Sequence, residues 1–315
     1  MSSILKKAFT LIELLVVIAI IGILSGLIIV GMNGMTRQAS IAKSQVFNNS
    51  LRNSLMNDMA ADIPLDGSAE DIWNHNTGTG VGGTFLTQAN GNCVQNTCYS
   101  FNGGVGGVAT TDYVWLADND KYALTNQMTA MIWVKGNAPA TTDRVAFGHW
   151  DASGATTVRG EWKIMSAITT GALRVIVSND GAESTAANYK NYVTSSATPF
   201  DGNWHLVGFT FNAGTLTLYV DGVSALVTMT NDGASATSIY ASTSHLTLGA
   251  SLNANALVTT TTFAGLLDSA RFYDAPIPTS QIKELYYAGL TNLFAKGQIT
   301  AQEYSERISS VGINN

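Results

Sequence analysis

From Leu14 to Met32 the chain carries no charged side chain. A run this apolar has to leave water, and as a helix rising about 1.5 Å per residue it approaches the roughly 30 Å hydrocarbon thickness of a bilayer. At its N-terminal edge stands Glu13, within "KKAFTLIELLVVIAIIGIL". An acidic side chain deep in a bilayer costs about 2.5–3.5 kcal/mol, so an ionisable residue here points to function rather than to simple anchoring. Lys6 and Lys7 precede the run and no comparable basic cluster follows immediately, which orients the N-terminus toward the cytoplasm and the bulk of the chain outward. A cleaved secretory signal is the rival reading, but its apolar core is shorter, about 7 to 15 residues.

Beyond Met32 the pattern turns amphipathic without a helix stop. Met35, Ala39, Ala42 and Val46 recur at spacings of three and four, then Phe47, Leu51, Leu55 and Met59 at four. The spacing predicts one continuous helix of about 50 residues, with a first half apolar all round and a second half bearing a single greasy stripe. The first half needs lipid or other helices, whereas the second can lie on a globular domain. Gly22, Gly26, Gly31 and Gly34 disfavour a helix in water but are common where membrane helices pack closely or bend.

The stretch from Lys6 to Leu24 resembles the processing and assembly signature of type IV pilins and of the pseudopilins of type II secretion: a short basic leader, a small residue, Phe, and Glu four places on. The resemblance implies cleavage by a prepilin peptidase between Ala8 and Phe9, N-methylation of Phe9, and insertion of the helix into a filament core. It also implies that Glu13 accepts the N-terminal amine of a neighbouring subunit's Phe9. That pairing is physically sound, since opposite charges attract strongly among packed apolar helices and either one alone is costly there. Two residues depart from the family pattern: Ala8 stands where Gly is usual, which implies slower cleavage, and Val30 stands where many pilins carry a helix-bending Pro. The plain alternative for Glu13 is an interfacial carboxylate on an ordinary anchor.

Composition bears on the rest. Of 315 residues only 12% are charged, with 30 glycines and abundant Ser, Thr and Asn, which reads as a secreted, turn-rich β protein. A net charge of −6 offers no basic patch for nucleic acid. Cys93 and Cys98, in "CVQNTC", are an even pair closing a short loop, as an oxidising compartment permits, and a disulfide is expected. No second cysteine pair exists for zinc, and His75, His149, His205 and His245 lack ligand spacing, so each is read as a surface or hydrogen-bonded core histidine.

After Met59 the period changes to two. "IWVKG", "LRVIVSN", "HLVGFTF", "TLTLYV" and "HLTLGAS" are short β-branched or aromatic runs bounded by Gly, Asn and Asp. From His205 the chain predicts a three-strand meander turning at Asn212-Ala213-Gly214 and again at Asp221-Gly222. Leu206, Gly208 and Thr210 fall on one face of its first strand, with Val207, Phe209 and Phe211 on the other. With no helical period before "IPTSQIKELYYAG", the fold class predicted is mainly β: a β-sandwich head on a long N-terminal α-helix.

In series, "YSFNGG" with "DYVWLAD", "LTNQMTAMIWVK", "DGNWHLVGFTFNAGTLTLYVDG" and "FAGLLDSARFYDAPIPTSQIKELYYAG" resemble the laminin-G-like branch of the concanavalin A-like lectin/glucanase superfamily, over roughly Ala61 to Gly289. The resemblance implies a jelly roll of two curved sheets; the stretch from Asp66 to Phe85 resembles its first turn only weakly. Trp204 and His205, after the Asp201-Gly202 turn, are expected to lock a loop, and Trp133 to sit in the core. Asp268 alternates with Leu266, Ala270 and Phe272, placing a carboxylate on an apolar face where it needs partners: backbone donors, an arginine such as Arg271, or the structural calcium that family members often hold. Asn102, where the family often has Asp, is the second calcium candidate and a neutral one. The superfamily's glucanases interleave carboxylates on one strand, because glycoside hydrolysis needs an acid and a nucleophile about 5–5.5 Å apart, or a wider pair about 6.5–9.5 Å apart. No E-x-D-x-x-E run occurs: Glu161 stands alone in "RGEWKIM" and Glu183 lies in a polar loop, so no catalysis is expected.

Downstream, Thr300 and Glu303 form a capping box with Ile299 and Tyr304 as its staple, predicting a helix from Thr300 that docks on the sandwich or on another subunit. The organisation expected is a leader at 1–8, an assembly helix at 9–59 with its transmembrane half at 9–32, a sandwich at 60–290 and a helical tail at 291–315. The expected role is a structural subunit of a type IV pilus-like filament displaying an adhesive, lectin-like head. A minor pilin or secretion pseudopilin, and an anchored binding protein that never polymerises, are the alternatives. Its partners would be other pilin subunits, the prepilin peptidase, the inner membrane before assembly, and a glycan or protein ligand at the cell surface. Tyr189, Tyr192 and Tyr240 are candidates for an aromatic platform, and no ligand-binding residue is assigned.

Overall fold

The computed structural model describes residues 11–87, 93–103, 111–151, 160–183, 185–253 and 256–313, with side chains on the N-terminal helix described at 11–26, 42, 46 and 49–54. That helix, α1 (Leu11–Ser54), is continuous. Behind it come β1 (Met59–Ile63), β2 (Gly78–Val81), β3 (Thr84–Thr87), β4 (Thr97–Asn102), β5 (Tyr113–Leu116), β6 (Gln127–Gly136), β7 (Arg144–His149), β8 (Trp162–Ser166) and β9 (Leu173–Ser178). The chain continues through β10 (Tyr189–Thr194), β11 (His205–Asn212), β12 (Thr215–Val220), β13 (Val223–Ser224), β14 (Val227–Asp232), β15 (Leu246–Leu248), β16 (Leu252–Asn253), β17 (Ala256–Leu257) and β18 (Ala264–Tyr273). Two helices, α2 (Thr279–Ala295) and α3 (Ala301–Ile313), close it.

Among the described residues the strands form two large antiparallel sheets and a small β16–β17 ribbon. One sheet runs β13-β12-β11-β6-β18-β4-β3, with β1 added on β18; the other runs β14-β10-β9-β8-β7-β15-β5-β2. This is the β-sandwich that the strand periods predict. The meander is as expected, with Asn212 opposite Thr215 and Val220 opposite Val223. Both two-residue turns hold positive φ at both positions (Ala213 45°, Gly214 96°; Asp221 53°, Gly222 82°), the primed geometry that matches strand twist.

Burial follows strand parity. Val207, Phe209 and Phe211 point between the sheets, against Trp162, Ile164 and Val175 of the facing sheet. Leu206 points the opposite way, into a second apolar cluster with Trp133 and Tyr219, roofed by Leu285, Tyr286 and Leu290 of α2. The first sheet is therefore covered on both faces, which explains why "HLVGFTF" is buried almost throughout. Trp133 stacks on Tyr286 with ring centroids 5.7 Å apart. A Cβ at Gly289 would fall 2.2 Å from Trp133 Cζ2, so this position accepts only glycine.

Two boundaries differ from the sequence reading. The helix read to Met59 ends at Ser54, because Met59–Ile63 pairs with β18 after a turn at Leu55–Asp58. The sandwich boundary read at 290 falls inside α2, since Gly289 provides close contact to Trp133 rather than a helix stop. The transmembrane half read at 9–32 is helical from Leu11 onward, and part of it lies outside the residues whose side chains are described. Among the described residues no helix is long and apolar enough to cross a membrane.

The tail docks on the head. Thr300 caps α3, its Oγ1 accepting from Glu303 N at 3.1 Å, and Ile299 and Tyr304 pack against the second cluster. Glu303 pairs with Arg307 instead of completing the box, and Arg307 donates to the Trp204 carbonyl at 2.8 Å.

Candidate functional site

Two parts of the molecule bear on function: the N-terminal helix with its attachment to the head, and a cleft at one side of the sandwich. Ala8 and Phe9 lie outside the described residues. Glu13 is in the first turn of α1, where a carboxylate suits the positive end of the helix dipole. Leu11, Ile12, Leu14, Ile18, Ile21 and Ile23 are all more than half exposed. An exposed apolar face of this extent marks a surface that associates with lipid or other helices.

The other end of α1 is fixed. Leu51 and Leu55 are buried in the second cluster, and burying such side chains contributes roughly 1.5–3 kcal/mol each. Beside them Asp62 bridges two arginines, Arg52 of α1 at 3.1 Å and Arg271 of β18 at 3.0 Å. Burial opposes the Arg271 charge, and the Asp62 carboxylate more than offsets it, so the guanidinium pKa is raised.

The cleft, of about 460 Å³, opens where β12 and β13 of one sheet face β10 and β14 of the other. Lys190, Tyr192 and Asp232 supply its charged and phenolic groups; Leu216, Val227 and Met229 supply apolar wall. The register sets Lys190 directly opposite Asp232. Lys190 Nζ lies 2.5 Å from Asp232 Oδ1, and the Tyr192 hydroxyl donates to the same oxygen at 2.8 Å. These hydrogen bonds, Lys190's first, hold the Asp232 carboxyl below its usual range, while burial and then Asp232 push the Tyr192 phenol up to about 12. Lys190 and Tyr192 are nearly buried, yet Asp232 is 48% exposed at the mouth. A negative acceptor is thus held rigidly beside an apolar wall.

The three tyrosines do not form a platform. Tyr189 and Tyr192 sit three apart on one strand and face opposite ways, Tyr189 packing with Val145, Trp150 and Ile176 on the outer face. Tyr240 lies outside the strands, its backbone N donating to the Ser178 carbonyl.

Glu161, without a second carboxylate in its own stretch of sequence, meets a histidine in the fold. Its carboxylate lies 2.9 Å from His149 Nδ1, both side chains fully buried, and accepts from Ser242 N at 2.5 Å. Burial raises the Glu161 pKa; for His149 burial acts downward, and the neighbouring Glu161 carboxylate outweighs it, so the imidazole is raised. This pair ties β7 and β8 to the loop at Ser242–Ser244 and is closed to any substrate. Glu183 is ion-paired with Lys163, which lies over the Trp150 ring at 4.1 Å.

The Cys93–Cys98 disulfide is formed. Trp204 is buried, and His205 bridges Asp221 (2.7 Å) and Asp201 (3.2 Å), locking the turn as expected. The calcium candidates are not brought together. Asn102 lies opposite Ala264 and donates twice to Asp112 Oδ2, whereas Asp268 lies further along β18 opposite Trp133. Asp268 accepts from Gln95 N (2.9 Å) and Ser269 Oγ (2.8 Å); Arg271, offered as its partner, pairs with Asp62 instead, because the bulge at Asp268–Arg271 turns the two residues apart. Among the described residues no three metal-ligating His, Cys, Asp or Glu side chains gather.

Comparison with known proteins places these parts. Residues 5–29 match the prokaryotic N-terminal methylation motif, the type IV pilin signature. The binding domain of Paraclostridial Mosquitocidal Protein 1 superposes with a TM-score of 0.54 at 13% identity, over 75% of this chain and 53% of that one. The botulinum neurotoxin serotype D binding domain gives 0.53 at 10% identity, over 76% and 53%, and the serotype G binding domain 0.51 at 11%, over 74% and 51%. The chain spans about half the length of these solved structures, and the likeness concerns the fold alone. No curated protein matches it. Residues 107–283, the larger part of the chain and most of the sandwich, match the concanavalin A-like lectin/glucanases superfamily, and the chain belongs to that superfamily, its head joined to a type IV pilin methylation motif.

Proposed function

We propose that this chain is a subunit of a type IV pilus-like filament, displaying a lectin-type head that adheres to a surface or to another cell. The observation that carries the reading is the fusion itself: a pilin methylation motif on an exposed apolar helix whose far end is clamped to a superfamily sandwich. In this reading a prepilin peptidase cuts before Phe9, the amine is methylated, and the precursor waits in the inner membrane. Helix packing and the Phe9–Glu13 pairing between subunits then draw it into the filament, leaving the heads outside. The head binds rather than catalyses, which accords with the burial of the His149–Glu161 pair beyond the reach of a substrate.

The cleft is the place we assign to the ligand, an uncharged saccharide. Asp232 offers a fixed acceptor for sugar hydroxyls, Val227 and Met229 offer apolar surface to the C–H face of a ring, and the cleft volume lies in the small-molecule range. An anionic ligand would meet the Asp232 charge. Hydrogen bonds to a charged group contribute about 1.5–3 kcal/mol, so Asp232→Asn should weaken saccharide binding at least roughly tenfold. The check is to probe purified full-length protein on an array of neutral oligosaccharides: binding lost in Asp232→Asn supports the assignment, and binding unchanged in the variant removes it.

A further inference from the structure

Both ring nitrogens of His205 face carboxylates. Nδ1 lies 2.7 Å from Asp221 Oδ2, in the turn between β12 and β13, and Nε2 lies 3.2 Å from Asp201 Oδ1, in the turn before β11. An ionised carboxylate only accepts hydrogen bonds, and a neutral imidazole has a single N–H to give. Both contacts are satisfied together only when the ring carries its second proton. The other charged and titratable groups on this side come from the helical layer. Arg307 of α3 pairs with Glu303, bonds the Tyr286 phenol of α2 and donates to the Trp204 carbonyl; Lys283 of α2 donates to the Val311 carbonyl of α3 at 3.2 Å. Burial acts first and downward on the imidazole, but Asp221 and then Asp201 outweigh it, against a smaller opposing effect of Arg307, so its pKa is raised. The ring is 16% exposed, which leaves its proton open to exchange with solvent.

The two turns that His205 joins also touch the helical layer. Gly222 lies against α2, where a Cβ would fall 3.0 Å from Lys283 Cα, and Trp204 holds α3 through Arg307. We propose that protonated His205 is a pH-released latch: it fastens the Asp201–Trp204 turn to the Asp221–Gly222 turn and with them seats α3 on the head, and loss of its proton frees the Asp201 side. Asp201 is the side that opens because its contact is the longer one and its carboxylate, 45% exposed, is readily taken up by water. Asp221 stays in place, since it also holds the Leu206 amide at 3.0 Å. A histidine whose folded pKa lies above its unfolded one contributes in full below about 6.5 and loses that contribution as pH rises through the folded value. The latch is therefore closed in mildly acidic surroundings and opens toward alkaline ones. Leu51 and Leu55 of the assembly helix pack in the same apolar cluster as Trp204, so the latch acts beside the joint between head and helix.

The test uses the full-length chain in detergent, its histidines labelled on the ring for NMR and the His205 signal assigned by its loss in His205→Gln. The His205 ring should titrate above about 6.5. Amide exchange is then compared between wild type and His205→Gln at matched pH, which cancels the intrinsic rate. Below the His205 midpoint, peptides over 201–206 and 301–310 should exchange roughly tenfold slower in the wild type, the scale of one charge-assisted hydrogen bond, and above it the two proteins should converge. Asp201→Asn removes a charge, while its amide can donate to a neutral ring. Its midpoint should therefore fall below that of the wild type, and its tail should stay protected to higher pH. A ring that titrates at or below about 6.5 overturns the inference, and so does a wild-type advantage that is absent or identical on both sides of the midpoint. If His205→Gln does not fold, Asp201→Asn assigns the signal by its shift and serves as the reference: faster wild-type exchange over 301–310 above the wild-type midpoint supports the latch, and equal rates overturn it.

Discussion

Replacing Asp62 by alanine should destabilise the head by about 3–5 kcal/mol, far more than replacing the exposed arginine beside it. Asp62 is 1% exposed, with one oxygen on Arg52 and the other on Arg271. Removing the carboxylate leaves Arg271 with its charge largely buried, and a guanidinium cannot shed its proton to escape. Arg52 is a third exposed, so Arg52→Ala leaves Asp62 still paired with Arg271 and should cost about 1 kcal/mol or less. The asymmetry matters because Arg52 is the only partner of the three on the assembly helix. If it holds, the head's integrity resides in the Asp62–Arg271 pair, while Arg52, with Leu51 and Leu55, sets how the helix leaves the head. Denaturant unfolding of the two variants side by side measures it. Equal losses would show that the buried pair does not dominate.

The second large effect concerns assembly rather than folding. Glu13→Ala should abolish filaments while the head remains folded, since Glu13 lies at the end of α1 remote from Leu51 and Leu55, which dock on the head. At about 4 Å and an effective dielectric near 20, a carboxylate and an ammonium attract by about 4 kcal/mol, which the proposed filament would repeat at every subunit contact. Glu13→Gln preserves the shape and should fail equally. Electron microscopy of sheared surface material gives the filament count, and the mass of the chain shows that leader removal is intact. A membrane-anchored protein that never polymerises would be indifferent to both changes.

Much of this was legible from local pattern. The period of two in "HLVGFTF" and "TLTLYV", the Asp221-Gly222 turn, the Thr300 cap and the short cysteine loop all follow from near neighbours, and each is present. Parity alone, properly applied, separates Tyr189 from Tyr192. What could not be read was contact across long separations. Asp62 meets Arg271 across 209 residues, and the cleft exists only because the register aligns Lys190 with Asp232 while the facing sheet presents Leu216. His149 and Glu161 share no local motif; they meet because β7 pairs with β8. Met59 continues a helical spacing of four yet joins a strand, since pairing with β18 satisfies its backbone and buries its side chain in the same cluster as Leu55.

The most direct test of the central claim is the intact mass and N-terminal fragment spectrum of the protein taken from cells that have the processing peptidase. The account predicts a chain beginning at Phe9 with one added methyl group on its amine. A chain that still begins at Met1 in those cells, or that starts at an unmethylated residue further along, would contradict it.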